Sequence, residues 1–206
     1  MKTGILLLLF IFLTAGGSLA GDILEEWDKV KIPAAPEAEA VHADPSVTAL
    51  LVLDMEERTC SPERRPRCIS TLPAVERLIA HARSHGVPVL HSTTSRGAPE
   101  NILPQVKPLE GETVVKSGAN KFFMTELFDA LQEKHVKTVI IVGTAAHGAV
   151  LHTATGAAMH GFRVIIPADG LSAEDLYTEQ ASLMLMLTGP ATKNAVTLTK
   201  TDLINF

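Results

Sequence analysis

The chain predicts an α/β fold built on a parallel sheet covered on both faces, and two observations carry that prediction. Apolar segments of strand length alternate with helical patterns along most of the 206 residues. One segment, Val139-Ile140-Ile141-Val142, is a continuous apolar run that turns on Gly143 and small residues into an Ala-rich helix pattern. A strand with one wet face alternates, whereas an unbroken run reads as a strand buried on both faces. Ligands of open parallel sheets sit at the carboxyl ends of the strands, so the turn after Val142 lines the expected pocket.

The elements follow in order. Thr48 to Leu53 is a buried first strand that ends on Asp54. Pro73 to His85 reads as a helix with Leu72, Val75, Leu78, Ile79 and Ala82 on one side, closed by Gly86. Val87 to His91 is the second strand, and Ser92 to Pro108 is a loop of the length that often forms a lid. Glu112 to Val115 is a short third strand ending on Lys116. Thr125 caps a helix from Glu126 to about His135. The strand entering Gly143 is the fourth, and the helix after it runs from about Gly148 to His160. Phe162 to Pro167 is a fifth strand, Ser172 begins the next helix, and Ala195 to Leu198 is the last strand.

Composition bounds the function. A net charge of −5 and a single Trp and Tyr offer neither a basic surface nor stacking platforms for nucleic acid. No GxxxxGK and no GxGxxG follows a strand, so a nucleotide site is unsupported. Residues 1–20 have the form of a signal peptide, with Lys2, an apolar run from Ile5 to Leu13, and Ser18-Leu19-Ala20 at the cleavage position. An uncleaved anchor is the competing reading. Cleavage leaves a secreted or periplasmic chain starting at Gly21, with residues 21–47 as a polar, Pro-containing arm and 48–206 as the domain. In an exported chain the nearby pair Cys60 and Cys68 reads first as a disulfide, with two free thiols as the alternative.

Three strand ends converge on one sheet edge: Asp54, Lys116 and the turn from Gly143 to Ala149. A carboxylate there is paired, working, or simply capping a loop. An Asp–Lys pair beside a helix start suits a carboxylate or a developing oxyanion. His91 ends its strand on the same side, although an isolated His there is more often structural.

Leu51-Val52-Leu53-Asp54-Met55, Val114-Val115-Lys116 through Leu127, and Val142-Gly143-Thr144-Ala145-Ala146-His147-Gly148-Ala149-Val150 together resemble the isochorismatase-like (cysteine hydrolase) superfamily. The resemblance implies a Rossmann-like three-layer α/β/α sandwich with a six-stranded, mostly parallel sheet. It implies a hydrolase of a small carboxylate or amide, with Asp54 as the general acid or base and Lys116 steadying it or the oxyanion. Ala149 then occupies the position of the family's nucleophilic Cys. Ala145, Ala146, His147, Gly148 and Phe122 surround the substrate, and a cis bond joins Ala145 to Ala146. The nicotinamidase branch binds metal through an Asp and two His after the second strand, and only His91 matches here, so neither metal nor cofactor is expected. The resemblance also implies a homo-oligomer with no partner beyond a small molecule.

Ala149 excludes covalent thioester chemistry at that position. Three readings stand: water-based hydrolysis with Asp54 as acid, as in the isochorismatase branch; a non-catalytic binder that keeps the pocket; or an engineered Cys-to-Ala exchange or unrelated activity. His147, where the family often has Asp, is either a base or hydrogen-bond donor, or a solvent-facing residue at a helix start. Cys60 as a displaced nucleophile conflicts with its pairing to Cys68.

Overall fold

The computed structural model describes residues 21–206, so the predicted export segment at 1–20 lies outside the described residues. The chain divides into two units, the second running from Glu37 to Phe206. In the first, the described residues up to Pro36 contain a turn at 23–26 that leads into one short 3-10 helix, Trp27–Lys29.

The second unit holds the sheet. Its strands are β1 (Val41–His42), β2 (Thr48–Leu53), β3 (Val89–Thr94), β4 (Val114–Ser117), β5 (Thr138–Thr144), β6 (Arg163–Pro167), β7 (Leu171–Ser172), β8 (Val196–Thr199) and β9 (Ile204–Asn205). Its helices are α1 (Pro66–Ser84), α2 (Leu127–Glu133), α3 (Leu151–Met159) and α4 (Leu176–Thr188). The main sheet has the order β4-β3-β2-β5-β6-β8, and β7 pairs with the end of β5 to make seven strands rather than six. Every pairing in it is parallel. The arm does not hang free after Glu37: Glu39 N–H donates to Leu198 O at 2.9 Å, and β1 pairs with β9.

Strand parity explains the layers. Leu51, Leu53, Val139 and Ile141 face a core shared with Leu127 and Leu131 of α2, Ala154 and Ala157 of α3, and Met186 of α4. Leu50, Val52, Ile140 and Val142 face the other side, against Leu72, Val75, Leu78 and Ile79 of α1. All six residues of β2 and all seven of β5 are buried, as their unbroken apolar runs require.

Several boundaries differ from expectation for identifiable reasons. Helix α1 begins at Pro66 and carries Pro73 inside it. Proline is well suited to a first helical position, and the Cys60–Cys68 disulfide pins this first turn. Closing so short a loop contributes about 2–3 kcal/mol by chain-entropy reasoning. The expected lid is not a free flap, because β3 continues to Thr94 and Ile102 and Val106 are buried in the α1 layer. Ser172 belongs to β7, and Asp175 caps α4 by accepting from Thr178 N–H at 2.9 Å.

His91 proves structural. Its Nε2 lies 3.0 Å from Glu112 Oε2, and Glu112 accepts from Arg83 Nε and Nη2 at 2.8 and 2.7 Å, tying α1 to the sheet edge. Burial pulls the imidazole pKa from its ordinary 6.5 down to about 4, against the opposing pull of Glu112. Between those values the unfolded chain binds a proton that the native chain refuses, so stability falls as the pH is lowered from 6.5 to 4. The loss amounts to about 3 kcal/mol. Urea midpoints across this range should show a shallower pH slope for His91→Gln than for the parent.

Candidate active site

Strand order reverses direction between β2 and β5: the chain moves outward through β3 and β4 on one side and through β6 and β8 on the other. Such a switch point leaves a crevice at the carboxyl ends of the two central strands. Asp54 follows β2 there, with φ at 52°, and the turn after Thr144 follows β5. Between them lies a cavity of about 250 Å³ whose walls include Asp54, Arg64, Arg65, Thr144, Ala145 and Ala149.

Asp54 is buried, and two donors converge on its Oδ1: Lys121 Nζ at 2.9 Å and Ser92 Oγ at 2.8 Å. Oδ2 has no hydrogen-bond partner among the described residues. Burial raises the carboxyl above the ordinary carboxylate range, and the Lys121 ammonium and Ser92 hydroxyl offset this only in part. One oxygen is therefore fixed, while the other is free to exchange a proton.

Lys121 is wholly buried. Its Nζ also donates to Gly118 O at 2.7 Å and lies 3.3 Å from both Thr93 O and Ser117 O. The lysine beside Asp54 is thus Lys121 and not Lys116. Strand β4 extends to Ser117, with Val115 and Ser117 buried and Lys116 between them exposed, so the side chain of Lys116 leaves on the other face.

The remaining expected contacts divide. Ala145 and Ala149 line the cavity, but Ala146 is packed in the core. Phe122 is a core residue, its ring 5.0 Å from that of His160 and 6.0 Å from that of Phe162. Gly156 of α3 permits this approach, because a Cβ there would stand 3.0 Å from the Phe122 ring and 2.8 Å from Asn120 Oδ1. His147 is half exposed, with Nδ1 3.8 Å from Glu174 Oε2. Gly148 stands beside Ala145 and donates its N–H to the Ala145 carbonyl at 3.0 Å. The cis non-prolyl bond joins Thr144 to Ala145, one peptide earlier than expected, because β5 continues through Thr144 before the chain turns.

Sequence reasoning also missed Arg65. It precedes α1 with its side chain buried, donating Nε to Glu174 Oε1 at 2.9 Å and Nη1 to Thr59 O at 3.2 Å. The available signal was a pair of arginines inside a disulfide-closed loop just after a strand-end Asp. Among the described residues no three His, Cys, Asp or Glu side chains converge as a metal site needs, and no helix is long and apolar enough to cross a membrane.

Comparison with known proteins agrees with this architecture. The chain is 30% identical over 149 residues to YddQ, an uncharacterised isochorismatase family protein of Bacillus subtilis, covering 64% of this chain and 81% of that one. It is 31% identical over 132 residues to N-carbamoylsarcosine amidase of Arthrobacter sp., half of each chain. With the secreted isochorismatase effector Isc1 of Verticillium dahliae it shares 30% over 115 residues, half of this chain and 60% of the effector. An isochorismatase structure from Pseudomonas putida superposes with a TM-score of 0.69 at 23% identity, covering 81% of this chain and 94% of that one. Residues 48–201, nearly the whole sheet-bearing unit, match the isochorismatase domain, and the chain belongs to the isochorismatase family.

Proposed function

We propose that the protein is an exported hydrolase of a small carboxylate- or amide-bearing molecule, in which Asp54 moves the proton and water completes the cleavage. The observation that carries this reading is the asymmetry of Asp54, with Oδ1 held by Lys121 and Ser92 and Oδ2 unpartnered at the cavity. Asp54 gives a proton to the departing side of the substrate as its bond to carbon breaks. Water then adds hydroxide to that carbon and returns a proton to the carboxylate. Ala149 supplies room at the position that the resemblance assigns to a thiol. Export is supported by the disulfide and by the secreted relative.

The test is turnover of isochorismate, amide and N-carbamoyl substrates by the parent and by Asp54→Asn. Loss of a positioned proton-transfer group lowers kcat/KM by about 10²–10⁴. Because burial raises the Asp54 pKa, the acid form persists above the ordinary carboxylate range. Because Asp54 gives the proton first, the rate should therefore fall as pH rises through that raised value, and a rate that rises instead overturns the acid role. Ala149 favours a second reading, a binder without chemistry. Ligand-dependent thermal stabilisation with no product across the whole panel establishes that reading and ends the hydrolase one.

A further inference from the structure

We propose that Arg64 and Arg65 form an anion subsite that takes the carboxylate of the substrate. This rests on the hydrolase reading for the word substrate and names the chemical class the same cavity accepts. Lys121 is the cation that an Asp–Lys site is expected to offer a ligand. An ammonium has three protons, and four acceptors already surround this one: Asp54 Oδ1 and the carbonyls of Thr93, Ser117 and Gly118. It has no donor left for a ligand, and the ionised form of Asp54 neutralises its charge.

The cavity wall carries two other cations. A guanidinium has five N–H groups, and Arg65 commits Nε and one Nη2 hydrogen to Glu174 and one Nη1 hydrogen to Thr59 O. One of the remaining two has only Thr144 Oγ1 at 3.5 Å. Arg65 is therefore a buried, pre-positioned donor with capacity to spare. Arg64 stands beside it on the wall, exposed, with no carboxylate within ion-pair distance among the described residues. Among the described residues its sole side-chain hydrogen bond is Nη1 to Arg58 O at 3.4 Å. With Asp54 paired to Lys121 and Arg65 paired to Glu174, Arg64 leaves the cavity at least one positive charge in excess, and a proton on Asp54 only adds to it. Two adjacent guanidinium forks, one fixed and one adjustable, match a carboxylate's two oxygens. The Cys60–Cys68 disulfide closes the loop that carries both arginines and so holds the pair at the cavity.

Benzoate and benzamide, alike in shape and different in charge, test this by calorimetric titration of the full mature chain. The parent should bind benzoate at least about tenfold more tightly than benzamide, the scale of one charge-assisted hydrogen bond. Arg64→Gln, at an exposed position that does not endanger folding, should weaken benzoate severalfold and leave benzamide unchanged. Arg65→Lys keeps the charge but loses the fork, and should weaken benzoate further. Equal binding of the two probes, binding of neither, or benzoate affinity indifferent to Arg64→Gln overturns the proposal. Titration needs no turnover, so the two readings fail separately. Selective benzoate binding without hydrolysis keeps the subsite and removes the enzyme, while hydrolysis without charge discrimination does the reverse.

Discussion

Lys121→Met should cost about 3–5 kcal/mol of stability and abolish turnover, whereas Lys116→Met should change stability by no more than about 0.5 kcal/mol and leave turnover intact. The two lysines lie five residues apart in sequence, yet one is wholly buried and the other exposed. Removing Lys121 strands Asp54 as an unpaired buried carboxylate and orphans the carbonyls of Thr93, Ser117 and Gly118. The carboxyl then neutralises by taking up a proton, because burial already pushes its pKa upward and the opposing ammonium is gone. Urea denaturation and turnover of the two variants decide the matter. A further arm guards against nonspecific damage: Lys121→Met combined with Asp54→Asn removes both charges and should regain part of the lost stability. If Lys116→Met proves the damaging substitution, the pairing described here is wrong.

The contrast between these lysines shows what was legible in the sequence. Strand and helix alternation, the apolar runs of β2 and β5, and the placement of Asp54 at a strand end all follow from composition and period. A third strand that stops at Val115 puts Lys116 at its inward end, whereas β4 runs two residues further, to Ser117. Side chains alternate along a strand, and once β4 reaches Ser117, Val115 and Ser117 share the inward face and Lys116 must leave it. Lys121 carried no such signal. Its burial comes from a non-repetitive loop, pinned where Lys121 N–H donates to Thr153 Oγ1 of α3 at 3.2 Å. Loop coordinates of that kind are tertiary, and no periodicity encodes them. Phe122 failed for a related reason: its direction is set by the gap that Gly156 leaves on α3, a contact between segments more than thirty residues apart.

The Arg65–Glu174 pair was invisible in the same way, since its partners stand 109 residues apart. It matters because it joins the loop before α1 to the segment after β7, and the cavity lies between elements brought together only by the switch in strand order. The site is thus assembled from ends of strands that the sequence does identify, and tuned by loop residues that it does not.

Gly143→Ala should be the most damaging glycine-to-alanine change among the described residues. Gly143 takes φ at 124°, and a Cβ there would stand 2.1 Å from Leu53 O and 2.8 Å from Leu53 N. Both neighbours are backbone, and Leu53 is the register partner of Gly143 in the pairing of β2 with β5, the two central strands. Neither strand can retreat without opening the ladder from which the sheet grows in both directions. Leu53 also precedes Asp54, so any shift that relieves the collision moves the carboxylate away from Ser92 and Lys121. Gly86→Ala supplies the control: φ is 73° there, but nothing lies within 4 Å of the added methyl, so it reports only the left-handed backbone cost of about 1–2 kcal/mol. Chemical denaturation should place Gly143→Ala beyond that by at least about 2 kcal/mol, in the range of overpacked cores. Any fraction that still folds should show lower turnover, because the strand end carrying Asp54 has moved. Equal losses at the two glycines would mean that β2 yields readily, and that Asp54 is positioned by its loop rather than by the close approach of Leu53 and Gly143.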